Sequence, residues 1–268
     1  VVTDLDGTLL DQHHQITPLC KQALQAVDAL GIQVMLATGR HFQDVFTLAQ
    51  QLEIDTCLIT SNGARVHNNL GELLYENHIP GSLASQVLAI SNGFAVHRNI
   101  YQGENWWVEV PNEYLLAIHH SSQFGYQLTD FAKLNPQGID KFYFYAEHHE
   151  LLPLEAALKA PLGDELYITF TTENYLEVMN KGVSKGQALQ AVLQRKRVHP
   201  SEVMAFGDGF NDIDMLQMVG EPVVMQNAHS DIKRLLKDAM IAPSNSENGV
   251  ALHLHKTVLR EAYGIETL

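Results

Sequence analysis

The chain has few cysteines, few basic residues and no long apolar run. Its 268 residues include two cysteines, Cys20 and Cys57, and 17 lysines and arginines against 31 aspartates and glutamates, for a net charge of −14. Two cysteines in apolar segments do not form a disulfide framework, so we expect reduced core residues of a cytoplasmic protein. The chain also lacks the basic clusters that bind nucleic acids. No apolar run is long enough to span a membrane.

Length and composition indicate a globular protein of one large or two moderate domains. The chain is 46% apolar, which allows sizeable cores. No feature of the sequence indicates an oligomeric state. Because Val1 is not an initiator methionine and an apolar strand begins almost at once, we expect a few residues to precede it in the full protein.

Strand and helix patterns alternate in the first part of the chain. Thr17 followed by Pro18 is a typical helix start, and the glycine at position 31 ends that helix. The almost continuously apolar run 32–37 is typical of a parallel strand covered on both faces. A helical pattern over 42–52 and a strand over 56–60 follow. The order predicts an α/β fold with a doubly wound parallel sheet.

The pattern changes after residue 63. A hairpin is predicted over 65–75, and from about residue 82 the chain carries short helices and strands rich in aromatic residues. Alternation of strands and helices returns at Ser184. We therefore predict a core made of residues 1–79 and 184–268, interrupted by an inserted α+β domain over 80–183.

Asp4 and Asp6 lie two residues apart where the first strand runs into a turn. In an extended chain their side chains leave on the same side. Two carboxylates held so close repel each other unless they share a cation or one of them takes up a proton. The pair therefore indicates chemistry, although aspartate and glycine are also common residues of ordinary turns.

Three later polar clusters stand beside strand ends or a helix start. They are Thr38-Gly39-Arg40, Ser184-Lys185-Gly186 and the segment 207–212, which reads GDGFND. Ligands of open parallel sheets bind at the carboxyl ends of the strands, so clusters from separate parts of the chain can converge on one site there.

With these segments, the chain resembles the haloacid dehalogenase-like superfamily, in particular its Cof-type phosphatases of sugar phosphates and pyridoxal phosphate. The matching segments, in order, are DLDGTLL, ATGR, GVSKG and GDGFND, and SNGARVH at 61–67 is similar to bacterial members of that branch. The resemblance implies a Rossmann-like core with a cap domain inserted at the same point of the chain, and a dehalogenase activity is disfavoured because Asp6 is present.

Phosphoryl transfer gives each of these residues an expected role. Asp4 would be the nucleophile that forms an aspartyl-phosphate, and Asp6 the general acid and then the base. Mg²⁺ would bind Asp4, Asp208 and the backbone carbonyl of Asp6, with Asp212 supporting the metal site. Asp208 and Asp212 also fit the capped, acidic first turn of a helix, and both interpretations can hold together.

The transferred phosphate needs hydrogen-bond donors and positive charge. The family pattern implies the backbone N–H of Leu5, whose side chain would lie in the core. Further expected contacts are the Thr38 hydroxyl, the Gly39 N–H, the Lys185 ammonium, Asn211 as a residue that orients Lys185 or a phosphate oxygen, and Arg40 and Asn62 as contacts to the substrate. A surface position on a helix is the alternative for Lys185.

The prediction is a magnesium-dependent phosphatase of small cytosolic phosphates, with pyridoxal phosphate and hexose phosphates as leading substrates. A phosphomutase or phosphotransferase would use the same nucleophile, and a receiver-like protein regulated by phosphorylation of Asp4 is the alternative from another class. The histidine pairs, such as His13-His14, lack the spacing of a zinc site, so we expect solvated side chains there.

Overall fold

The computed structural model describes residues 1–119 and 122–263. The strands are, in chain order, β1 (Val2–Thr3), β2 (Val34–Ala37), β3 (Thr56–Thr60), β4 (Arg65–His67), β5 (Leu73–Glu76), β6 (His97–Gln102), β7 (Asn105–Val108), β8 (Tyr126–Leu128), β9 (Ile139–Tyr145), β10 (Leu166–Thr172), β11 (Tyr175–Asn180), β12 (Met204–Gly207), β13 (Glu221–Met225) and β14 (Met240–Ala242). The helices are α1 (Pro18–Ala29), α2 (Phe42–Gln50), α3 (Gly81–Ser91), α4 (Glu113–Ile118), α5 (His148–Leu162), α6 (Lys185–Lys196), α7 (Ile213–Met218), α8 (Ser230–Leu235), α9 (Gly249–Leu254) and α10 (Arg260–Tyr263).

The chain divides into two compact units. Unit 1 comprises Val1–Arg40, Val45–Tyr75 and Ser184–Leu268, and unit 2 comprises His41–Asp44 and Glu76–Val183. Unit 2 is thus an insertion into unit 1. The last residues of the predicted core, 264–268, lie outside the described part of the chain.

Unit 2 begins earlier than the predicted residue 80, because the segment before it already bonds within that unit. Ile79 forms a β-bridge with Ile139, and the side-chain amide of Asn180 donates to Asn77 Oδ1 at 2.7 Å. The short piece His41–Asp44 also belongs to unit 2, because the His41 ring stacks on a unit 2 phenylalanine with ring centres 4.4 Å apart.

The sheet of unit 1 is parallel over most of its width. Within the described residues it has eight strands in the order β14-β13-β12-β1-β2-β3-β4-β5. The pairs from β14 to β3 are parallel, and β4 runs antiparallel to β3. The chain proceeds outwards from β1 in both directions, first through β2 and β3 and later through β12 to β14. The crevice beside β1 is therefore the place where open α/β sheets bind ligands.

Both faces of this sheet are covered. Met35 and Ala37 of β2 join a buried cluster with Leu189 of α6 and Leu216 of α7 on one face. Because side chains alternate along a strand, Leu36 points to the opposite face, where α1 contacts β2. This arrangement confirms the predicted doubly wound α/β core.

Unit 2 has a mainly antiparallel sheet in the order β10-β11-β9-β6-β7-β8. One face packs against α3 and α5 through a cluster that includes Ile100, Phe142 and Leu176. The other face carries a smaller aromatic cluster with Tyr101 and Trp106. Among the described helices, none combines the length and apolar character needed to cross a membrane.

Candidate active site

Asp4 stands at the carboxyl end of the central strand β1. Its backbone N–H still follows the sheet, since it donates to the Phe206 carbonyl of β12 at 3.0 Å. The side chain is 5% exposed, which is unusual for a carboxylate.

A tight turn over Leu5–Leu9 carries the chain away from Asp4. Gly7 has a φ of +81°, and a Cβ at this position would overlap the carboxylate of Asp208. The turn therefore requires glycine both for its backbone angles and for this close approach. The Thr8 hydroxyl donates to Asp208 Oδ1 at 2.8 Å, and the Leu5 side chain is fully buried.

Lys185 is the first residue of α6. The Ser184 side chain caps the helix by accepting from the Gln187 N–H at 3.1 Å. Lys185 Nζ donates to Asp4 Oδ1 at 2.6 Å and to Asp212 Oδ1 at 2.7 Å. The side chain is 0% exposed, so Lys185 is a buried charge rather than a surface helix residue.

Asp208 and Asp212 follow β12 and lie close to Asp4, and Asp212 also bonds to Lys185. Asp212 Oδ2 accepts from the backbone N–H groups of Asp208 at 3.0 Å and Gly209 at 2.9 Å, while its Oδ1 accepts from Lys185. Carboxylate oxygens of Asp4, Asp208 and Asp212 all lie within 4.8 Å of one another. Because both oxygens of Asp212 already hold parts of the protein, Asp4 and Asp208 are the better placed ligands for a cation.

Burial and like charge shift the titration of this cluster. Burial raises the pKa of Asp4 well above its usual value, and Asp212 and Asp208 raise it further against the opposing effect of Lys185. Burial also raises the pKa of Asp208 to about 6. Burial alone would lower the pKa of Lys185, but the carboxylates of Asp212 and Asp4 raise it. The carboxylates are thus costly to keep ionised without a further cation.

The side chain of Asp6 makes different contacts. Arg40 donates from Nε to Asp6 Oδ2 at 2.7 Å and from Nη2 to Oδ1 at 2.5 Å. His14 Nδ1 lies 3.0 Å from Asp6 Oδ1. The expectation of a merely solvated side chain at His14 was incomplete, because this exposed ring also contacts a predicted site residue.

Thr38, Gly39, Asn62 and Asn211 come together beside these groups. Thr38 is buried, and its Oγ1 accepts from the Arg40 N–H at 3.1 Å. A Cβ on Gly39 would lie 2.9 Å from Asn62 Oδ1, and that oxygen accepts from Asn211 Nδ2 at 2.9 Å. Among the described contacts, Asn211 is therefore bonded to Asn62 and not to Lys185, which was one of the two alternatives for its role.

Asn62 reaches this position through an unusual backbone. Ser61 and Asn62 have positive φ values of +49° and +57°, and Gly63 follows with +101°. A Cβ on Gly63 would overlap the Ser184 carbonyl, so the turn packs directly against the start of α6. Non-glycine residues in this region carry strain that the surrounding structure must hold.

Sequence patterns missed several side chains that hold the site together. These are Thr8, His14, Asn227, whose Nδ2 donates to the Gly7 carbonyl at 2.7 Å, and Asn245, whose Nδ2 donates to the Leu10 carbonyl at 2.8 Å. Thr8 lies two residues after Asp6 and could have been noticed. No sequence pattern links the other three to the acidic pair, and Asn245 begins a short 3₁₀ helix.

Comparison with known families gives a match over most of the chain. Residues 1–254 match the model of the haloacid dehalogenase-like hydrolase family. Two curated relatives described as HMP-PP phosphatase are 34% identical over 252 residues, from Yersinia pestis (strain Pestoides F), and 35% identical over 253 residues, from Serratia proteamaculans (strain 568). Each alignment covers 94% of this chain and 92% of the relative.

Solved structures show the same fold. A haloacid dehalogenase-like hydrolase from Bacteroides thetaiotaomicron is 26% identical, with a TM-score of 0.86 and coverage of 95% of this chain and 97% of that one. A haloacid dehalogenase-like hydrolase from B. subtilis is also 26% identical, with a TM-score of 0.83 and coverage of 96% and 99%.

Proposed function

Since this chain belongs to the haloacid dehalogenase-like hydrolases, we propose that it is a magnesium-dependent phosphomonoester hydrolase of small cytosolic metabolites. The observation that carries the proposal is the cluster of Asp4, Asp208 and Asp212, whose carboxylate oxygens lie within 4.8 Å of one another, with the buried Lys185 bonded to Asp4 and Asp212. In the proposed assignment, Asp4 is the nucleophile, Lys185 supplies positive charge for the phosphate, and Asp4 and Asp208 offer oxygens to a metal.

The donor set fits Mg²⁺. Its oxygen ligands are the kind that this hard cation prefers, and it binds through few carboxylates with water and substrate phosphate completing its shell. The raised pKa values of Asp4 and Asp208 indicate carboxylates that a divalent cation would stabilise in the ionised form. Asp4, Asp208 and the backbone carbonyl of Asp6 would hold the ion, and Asp212 would keep Asp208 and Lys185 in place. When bound, the ion would neutralise charge on Asp4 and on the phosphoryl oxygens.

The protein groups supply the remaining chemistry. An oxygen of Asp4 attacks phosphorus while the bond to the leaving oxygen breaks, which leaves the phosphoryl group on Asp4. Phosphoryl oxygens accept from Lys185, the Thr38 hydroxyl and the backbone N–H groups of Leu5 and Gly39. Asn211, held by Asn62, would border these oxygens.

Asp6 is the proposed acid and base. It gives a proton to the leaving alkoxide and then takes one from the water that hydrolyses the phosphoryl group on Asp4. Both oxygens of Asp6 are turned towards Arg40, so part of the Asp6–Arg40 contact opens in the proposed acid step, when one oxygen turns to the leaving group. Arg40 is then available to contact an anionic group of the substrate.

We propose a set of candidate substrates rather than one substrate. Pyridoxal phosphate and hexose phosphates follow from the resemblance to Cof-type phosphatases, and HMP-PP joins them because relatives more than 30% identical carry that description. Unit 2, with its aromatic cluster, is the proposed cap that selects among these phosphates.

A panel of these phosphates, assayed for free phosphate with and without Mg²⁺, tests the proposal. We expect Mg²⁺-dependent release that Asp4→Ala and Asp6→Asn abolish, and unchanged release with Asp55→Asn, which removes an exposed carboxylate of the same unit. Near-normal steady-state rates of Asp6→Asn would overturn the acid and base assignment. Transfer to an added sugar without free phosphate would indicate a phosphomutase, and slow dephosphorylation of the protein without turnover would indicate a regulatory protein.

A further inference from the structure

The turn after Asp4 is tied to the opposite side of the cluster. Its glycine at position 7 lies against the Asp208 carboxylate, and the next residue, Thr8, donates to Asp208 Oδ1 at 2.8 Å. The orientation of the peptide between Gly7 and Thr8 therefore determines where the Thr8 hydroxyl lies and how the Asp208 carboxylate is aimed.

Two side-chain amides from distant loops hold this turn. Asn227, after β13, donates from Nδ2 to the Gly7 carbonyl at 2.7 Å. Asn245, after β14, donates from Nδ2 to the Leu10 carbonyl at 2.8 Å, and its backbone N–H donates to Asn227 Oδ1 at 3.1 Å. The two asparagines are thus bonded to each other, and they bind the carbonyl in the middle of the turn and the one just after it.

The exposure of Asn227 indicates what these bonds do. The residue is exposed, and a solvent-accessible hydrogen bond contributes little to the free energy of unfolding. Orientation is different, because residues that orient a metal ligand commonly change metal affinity by about 10 to 100-fold when removed. A peptide group held at its carbonyl cannot rotate without moving Thr8.

We propose that Asn227 and Asn245 are positioning residues that set the Gly7–Thr8 turn and, through Thr8, aim Asp208 for a divalent cation. The inference rests on the proposed hydrolase function and adds two residues to it. Neither residue touches the reacting atoms, so their effect is expected on metal affinity and on kcat more than on the KM of the phosphate substrate.

Asn227→Ala, Asn245→Ala and the double variant test this role in the full chain. We measure Mg²⁺ binding by calorimetry, the Mg²⁺ concentration for half-maximal activity, kcat, KM and the melting temperature. Asn69→Ala, which truncates an asparagine in the turn between β4 and β5 of the same unit, is the matched control.

For Asn227→Ala we expect Mg²⁺ binding to weaken about 10-fold and kcat to fall about 10-fold, with a melting temperature within about 3 °C of the wild type. Because the two amides act as one relay, the double variant is expected to lose much less than the product of the single effects. Asn69→Ala should match the wild type in every measurement.

Unchanged calorimetric Mg²⁺ binding and kcat in Asn227→Ala would overturn the positioning role. A loss of Mg²⁺ affinity and kcat that is fully accounted for by a lower melting temperature would overturn it as well. Multiplicative effects in the double variant would overturn the relay. Failure of the proposed function is distinct, because the wild-type protein itself would then show no Mg²⁺-dependent phosphate release.

Discussion

Each unit of this protein buries a lysine, and the groups around the two lysines differ. In unit 1, Lys185 is bonded to Asp4 and Asp212. Asp208 lies within 4.8 Å of both carboxylates, so in this cluster of described residues the carboxylates outnumber the lysine. Such an arrangement costs free energy unless a second cation joins it.

In unit 2, Lys141 has a different environment. It pairs with Glu177 at 2.8 Å and lies 5.2 Å and 5.8 Å from the ring centres of Tyr101 and Tyr143. A carboxylate and the faces of aromatic rings are both favourable partners for an ammonium group. A buried ion pair is thus found in both units and does not by itself indicate a reaction site. Excess negative charge, found around Lys185, is the feature that favours binding of a metal ion in the proposed function.

The largest expected effect comes from removing the nucleophile while relieving the charge excess. Asp4→Asn should lower steady-state turnover by at least about 10⁴-fold. Burial and like charge raise the pKa of Asp4, so its ionised carboxylate destabilises the fold. The neutral amide of the variant should therefore leave the melting temperature equal or higher. Phosphate release and thermal unfolding measure both effects. Loss of activity together with a large loss of stability would contradict the charge-excess interpretation.

Replacing each of the two lysines by methionine, in separate variants, tests the difference between the two units. Lys185→Met should lower kcat by about 10³-fold, because it removes the positive charge beside the phosphoryl group and leaves buried carboxylates unpaired. Lys141→Met should change kcat by less than about 10-fold and KM by more, since unit 2 is proposed to select the substrate. Steady-state kinetics of the two variants on one substrate decide this. Equal losses of kcat would remove the distinction between the units.

Acidification should weaken the response to Mg²⁺. The pKa of Asp208 in the metal-free protein is raised to about 6, and a proton on this carboxylate competes with the cation. Mg²⁺ affinity falls with falling pH because only the ionised carboxylate binds the cation. Half-saturating Mg²⁺ should therefore rise as the pH falls through about 6, by up to about tenfold per pH unit for each carboxylate ligand that takes up a proton. Calorimetric titration between pH 5 and pH 8 measures it, and a flat profile would contradict a ligand role for Asp208.

The smallest effects concern two histidines whose pKa values move in opposite directions. In unit 1, burial lowers the pKa of His253, so the stability it permits is present above the unfolded pKa of about 6.5 and is lost as the pH falls. In unit 2, a hydrogen bond to Asp140 raises the pKa of His78 against the effect of burial, so its stability is present below about 6.5 and is lost as the pH rises through the folded pKa.

Chemical denaturation at pH 5 and pH 7.5 tests these signs. His253→Leu should destabilise the protein less at pH 5 than at pH 7.5. His78→Gln should destabilise it more at pH 5 than at pH 7.5. Parallel pH dependence of the two variants would show that one of the environments is misassigned.

Much of the fold and of the candidate site could be predicted because local patterns carried the information. Thr38-Gly39-Arg40 follows an apolar run, and Ser184-Lys185-Gly186 begins a helical pattern, so both polar clusters are predicted at the ends of elements. A parallel sheet brings such ends together. The position of β3 was predicted over the same residues that the structure gives, 56–60.

The finer contacts could not be predicted, because they depend on loop geometry and on partners far apart in sequence. Asn227 meets Gly7 across 220 positions of the chain, and Asn211 meets Asn62 across 149. The contact of Asn62 requires positive φ values at both Ser61 and Asn62, and local propensity favours this conformation for asparagine but not for serine. The Arg40 fork on Asp6 likewise depends on a side-chain direction that spacing does not give.

The most direct test of the account is the location of phosphorus on the protein. Asp6→Asn is mixed with substrate and Mg²⁺, quenched in acid and digested, and the peptides are analysed by mass spectrometry. We expect a phosphoryl group on Asp4, because the variant can no longer activate the water that removes it. A phosphoryl group on a residue other than Asp4 would contradict Asp4 as the nucleophile, whereas slow labelling of Asp4 is expected because the variant also lacks the acid of the first step.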